Sequence, residues 1–139
     1  MSDKMLLVSG VLVGLLSTQI FAAEPDVPDA LSVEWQGMKP CELLSEDPQI
    51  RIMRCTFPPG AKHVRHSHPG AFNYVLGGGR VQVQDENGTR MAERPTGGYV
   101  DSPPVPWHEV TNVGDVTLQF LVIEKKYLPV SAASQDSTR

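Results

Sequence analysis

Residues 60–78 read GAKHVRHSHPGAFNYVLGG, and they hold three of the chain's four histidines, His63, His66 and His68; the fourth is His108. His66 and His68 are separated by one residue, so on a strand they share a face, whereas His63 has the other parity and a regular strand would turn it away. Two neutral imidazoles on one face are a good ligand pair for a transition metal. From spacing alone, two surface histidines on a strand beside a turn are an equally good reading. The stretch closes on Gly77-Gly78-Gly79, which reads as a hairpin turn between apolar runs at Phe72–Leu76 and Arg80–Gln84.

Outward from this stretch the pattern repeats. Cys41–Leu44, Ile50–Phe57, Tyr99–Ser102, His108–Asn112 and Val116–Lys125 are short apolar runs. Turn signals such as Asp47-Pro48, Pro58-Pro59-Gly60, Asn87-Gly88 and Pro103-Pro104 separate them. There are 12 Gly and 12 Pro and no 3.6-residue periodicity. Short strands with regular turns predict an all-β sandwich or barrel.

Two groups of residues resemble the paired motifs of the cupin superfamily. The first is Gly60, then His66-Ser67-His68, then the run through Tyr74-Val75-Leu76 to the glycines. The second is Gly97, Pro103, His108 and Asn112 at the family's spacings. The resemblance spans roughly residues 40–127. It implies a small antiparallel β-barrel of jelly-roll type with a divalent metal inside, and carries His66, His68 and His108 onto ligand positions. The glutamate of the first motif has no counterpart: Ala71, Phe72 or Asn73 falls there, depending on the alignment. Asn73 is a weak fourth candidate, since alternation from Val75 turns Ala71 and Asn73 inward. The second motif's turn glycine is replaced by Val105. Three neutral ligands leave the full charge on the metal and favour an anionic co-ligand or substrate. Fe(II) is the first expectation, with Zn, Mn, Ni or Cu behind it.

No Gly-x-Ser-x-Gly, no phosphate-cradling loop and no paired carboxylates are found. If the chain is an enzyme, a metal-dependent dioxygenase or a Lewis-acid isomerase or lyase fits. The alternative is a non-catalytic metal- or small-molecule-binding module. Twelve Lys plus Arg against sixteen Asp plus Glu give a net charge of −4, with no basic patch for nucleic acid or anionic lipid. The expected partner is a small molecule, and pairing into a homodimer is left open.

Residues 1–23 read as a secretory signal peptide. Leu6–Ala23 carries no charge, and Ala22-Ala23 precedes Glu24. Cleavage would leave no stable membrane association and place the protein in the periplasm or outside the cell. Residues 24–39 read as a lead-in, mobile over Glu24–Ala30, 40–127 as the barrel and 128–139 as a C-terminal tail whose last nine residues fray. Export favours a Cys41–Cys55 disulfide. If the turn between the first two runs centres on Pro48, residues whose numbers sum to 96 face each other, and these two do. Arg65 reads as a solvated strand residue, Arg54, on the face opposite Met53 and Cys55, as either that or a substrate clamp, and Trp107 as packing outside the barrel or at its rim.

Overall fold

A computed structural model of the chain describes residues 26–130. The expected signal segment 1–23 and the last nine residues of the expected tail lie outside the described residues. Nine strands follow in order: β1 (Cys41–Glu46), β2 (Ile50–Phe57), β3 (Lys62–His68), β4 (Gly70–Gly77), β5 (Gly79–Asp85), β6 (Gly88–Arg94), β7 (Tyr99–Ser102), β8 (Val105–Asn112) and β9 (Leu118–Lys125). They form a five-stranded sheet, β1-β2-β9-β4-β7, and a four-stranded sheet, β3-β8-β5-β6, with all pairs antiparallel.

Period-two alternation builds the core. On β9, Leu118, Phe120, Val122 and Glu124 face inward; on β2, Arg51, Met53, Cys55 and Phe57 do so. Met53, Leu118, Val75 and Val81 are among the largest side chains wholly removed from water. Each contributes roughly 1.5–3 kcal/mol of burial.

Cys41 and Cys55 are cross-strand partners on β1 and β2 and form a disulfide, as the numbering sum of 96 predicts. A bulge between Leu43 and Ser45 then shifts the register. Asn112 closes the barrel end: its amide nitrogen donates to Phe57 O and Val116 O at 2.8 Å, and its Oδ1 accepts from Gly114 N at 2.9 Å. This satisfies a buried amide whose loss would leave backbone carbonyls unpaired.

Three expectations are corrected. The glycines at 77–79 do not close a hairpin, because β4 and β5 lie in different sheets. They form the corner between sheets. Gly78 is needed there, since a Cβ would stand 2.3 Å from Arg94 O and 2.5 Å from Thr96 N. The lead-in is docked from Pro28 onward: Ser67 N donates to Pro28 O at 2.9 Å, and Ala30 and Val33 are buried. Its Pro and Asp content suggested solvent, but Asp29 accepts from its own Leu31 N and from Arg51, so its polar groups are paired. The third correction, at His63, belongs to the site. β6 escapes sequence reading because most of this edge strand is exposed and carries no apolar alternation.

Candidate metal centre

Strand β3 supplies three histidines, and its irregularity decides which face they share. Its pairing with β8 runs Lys62↔Thr111, His63↔Val110, then His66↔His108, then His68↔Val105. Between His63 and His66 the strand spends three steps against two on β8, so Val64-Arg65 forms a bulge. One extra residue inverts parity. His63 therefore turns inward with His66 and His68, and all three are buried. The sequence expectation that His63 points away fails for this reason. Between His68 and His66 the surplus falls on β8, at Pro106-Trp107. That breaks alternation there and brings Trp107 into the cavity wall, with the Arg65 guanidinium 4.2 Å over its ring.

The four rings meet around His66, which is entirely buried. Its Nε2 lies 2.9 Å from His68 Nε2 and 2.8 Å from His108 Nε2. The ring nitrogens of His63, His66 and His68 fall within 4.8 Å of one another, so this buried triad could hold a metal ion. The His63 ring stacks on His66 with centroids 3.5 Å apart. The outer nitrogens are committed elsewhere. His66 Nδ1 donates to Val64 O at 2.7 Å, and His63 Nε2 donates to Ala30 O at 2.8 Å. A neutral imidazole has one proton, so His66 presents a bare lone pair at Nε2 to its neighbours.

Burial keeps the rings of His63, His66 and His108 neutral. It is the main cause holding His63 down to about 4 and His108 down to about 3, with neighbouring histidine charge lowering both further. His66 is pushed further below the ordinary range by burial and then by His63, His68 and His108. Neutral rings at pH 7 are the form that binds metals.

A cavity of about 440 Å³ opens beside the cluster. His63, His68 and His108 line it, with Phe57, Val75, Phe120 and Val122 supplying apolar wall. Asn73 also lines it, as its parity with Ala71 predicts, but its amide nitrogen donates to Ser102 Oγ at 3.1 Å. The Cys41–Cys55 disulfide closes the wall behind His63, with Cys41 Sγ 3.9 Å from both His63 ring nitrogens. Arg54 is on the outer face, where Glu42 pairs it.

The solved structures most like this arrangement include a cupin domain from Bordetella pertussis Tohama I. Its TM-score is 0.58 at 21% identity over 62% of this chain and 91% of that one. The chain has the cupin fold. A cupin superfamily protein from Desulfitobacterium hafniense DCB-2 gives 0.50 at 15% identity, over 75% and 93% of the two chains. A cupin-like protein from Thermotoga maritima MSB8 gives 0.50 at 25%, over 62% and 67%. No family model and no curated protein matches the sequence.

Within this cupin barrel, sequence reasoning brought His66, His68 and His108 to one place and missed His63 and Glu124. Glu124 is fully buried and accepts from His68 Nδ1 at 2.5 Å. Its signal was present as an acidic residue on the inward parity of Leu118, Phe120 and Val122.

Proposed function

We propose that this cupin binds one divalent metal ion through His66, His68 and His108, and takes a small anionic molecule in the adjoining cavity. The observation that carries the reading is the convergence of His108 Nε2 and His68 Nε2 at 2.8 and 2.9 Å from His66 Nε2. Neutral imidazole nitrogens suit several divalent transition metals; Fe(II) is the leading reading, with Zn, Mn, Ni or Cu behind it.

Bound there, the metal would supply Lewis acidity and open coordination positions for an anionic ligand. The chain's own residues do the rest. The buried rings of His66 and His108 stay unprotonated, the apolar wall excludes water from one side of the ligand, and Asn73 and Trp107 offer polar and aromatic contact in the cavity wall. An Fe(II)-type dioxygenase is the enzymatic form of this proposal. A non-catalytic metal- or small-molecule-binding module is the second reading. It is favoured by the lack of a carboxylate at Ala71 and by the commitment of both Glu124 oxygens to protein partners. We also place the protein in an oxidising, exported setting, a reading supported by the disulfide.

The deciding experiment is elemental analysis of protein purified without added metal, followed by calorimetric titration with Fe(II), Mn(II), Ni(II) and Zn(II). One equivalent bound by wild type and lost in His66→Ala supports the reading. No binding by wild type refutes it. Dioxygen uptake by the Fe(II) form with thiols, catechols or diketones separates the enzyme from the module.

A further inference from the structure

Glu124 has no assigned role, and burying a carboxylate is expensive unless it is paired. Its two oxygens are both engaged. Oε1 accepts from His68 Nδ1 at 2.5 Å, and Oε2 accepts from Arg51 Nε at 2.6 Å. Arg51 Nη2 also reaches Glu124 and, at 2.6 Å, Asp29 Oδ2. The row is built by register: Arg51 on β2 and Ala71 on β4 are the cross-strand partners of Glu124 on β9. Ala71 contributes only a methyl group, so the carboxylate in this row comes from the central strand. It reaches across the barrel to β3 of the other sheet.

We infer that Glu124 is a positioning residue that fixes the tautomer of His68, holding the proton on Nδ1 so that the lone pair of Nε2 faces His66 and the metal. The inference rests on the proposed metal site for its consequence, but the tautomer is a property of the chain itself. An ionised carboxylate only accepts, so His68 must donate to it from Nδ1. Arg51 only donates, so the second oxygen of Glu124 is locked as an acceptor. Asp29 anchors Arg51 in turn and ties the docked lead-in to the same chain of contacts. Outer partners of this kind set which nitrogen of a ligating histidine is free.

The test is Glu124→Gln. Glutamine has one acceptor oxygen, which Arg51 claims. Its amide nitrogen then faces His68 and donates to Nδ1, moving the histidine proton to Nε2, the nitrogen the metal needs. Long-range proton–nitrogen NMR on ¹⁵N-histidine protein, metal-free at pH 8, reads both ring nitrogens of each of the four histidines. His68 is assigned by its loss in His68→Gln. Wild type is expected to show a protonated Nδ1 and a bare Nε2 on His68, and Glu124→Gln the reverse. Zn(II) affinity, measured by competition with a chromophoric chelator, is expected to fall about 10–100-fold in the variant. Arg51→Met keeps the carboxylate and is expected to keep the Nδ1–H tautomer.

A bare Nδ1 or a protonated Nε2 on His68 in wild type overturns the inference, and this reading needs no variant to fold. An unchanged tautomer in Glu124→Gln, or a changed one with unchanged Zn(II) affinity, also overturns it. A purely structural Glu124 would destabilise on substitution without moving the proton. Absence of Zn(II) binding by wild type refutes the metal reading, while the tautomer spectra still decide what Glu124 does.

Discussion

His66→Ala is the substitution that separates a metal centre from a packed cluster of histidines. His66 is the hub, fully buried and within 2.9 Å of two other ring nitrogens. A ligand that binds only the folded state stabilises it by about 2.7 kcal/mol at a hundredfold excess over its dissociation constant. Unfolding entropy of about 2.1 cal/mol/K per residue, over a chain of the described length, gives a rise in Tm of about 12 °C. Differential scanning calorimetry at pH 7.5, with and without Ni(II) or Zn(II), measures this increment. Comparing each variant with its own metal-free form removes the cost of the substitution itself. His66→Ala, His68→Ala and His108→Ala are each expected to abolish most of the rise. His63→Ala is expected to reduce it without abolishing it, because the ring stacked at 3.5 Å supports His66 and its outer nitrogen is held by Ala30 O. A full 12 °C rise in His66→Ala would refute the site.

Stability of the metal-free protein should fall with acid. His63 titrates near 4 when folded against about 6.5 unfolded, so the unfolded chain takes the proton first. Stability is then complete above pH 6.5 and lost as pH drops toward 4, on the order of 3 kcal/mol from His63 alone, readable by urea denaturation across that range; a flat profile would contradict buried neutral rings. Replacing Cys41 and Cys55 together by Ala should cost about 3 kcal/mol for their 14-residue separation, and should weaken metal binding through the wall behind His63. Thiol titration of denatured, unreduced protein should find no free cysteine among this pair. Asn112→Ala should cost more than about 2 kcal/mol in urea denaturation by leaving Phe57 O and Val116 O without their donor.

The barrel was legible because its strands are short, alternate with period two and end at strong turn residues. The Cys41–Cys55 pairing was also legible, although by a count that passed over a bulge. Next to the turn the numbering sum is 97, at Glu46↔Arg51 and Ser45↔Ile52, and the bulge between Leu43 and Ser45, which lies between the turn and the cysteines, brings it to the 96 that pairs them. The bulge at Val64-Arg65 was not legible. Neither residue is the glycine or proline that usually marks irregular backbone, so a regular strand was the natural reading and His63 was placed on the wrong face. The glycine corner misled in the opposite way. Three glycines between two apolar runs satisfy a hairpin as well as a sheet crossing, and only the partners of β4 and β5, which come from elsewhere in the chain, decide.

The carboxylate shows most plainly what local pattern cannot supply. Along β4, Ala71 stands where the resemblance calls for an acidic residue, and nearby Asn73 was the only substitute the local sequence offered. The structure places that charge fifty-three residues later, at Glu124, directly across the ladder from Ala71. A ladder neighbour has the same height on the sheet and the same inward direction, so the two positions can address one part of the barrel. They do not address it in the same way. Glu124 is held between Arg51 and His68, with no oxygen left over for an ion. At the proposed site this arrangement would supply no anionic ligand and would put a fixed acceptor behind His68 instead. The charge of a bound metal would then be balanced by whatever enters the cavity, which is the physical basis for expecting an anion there.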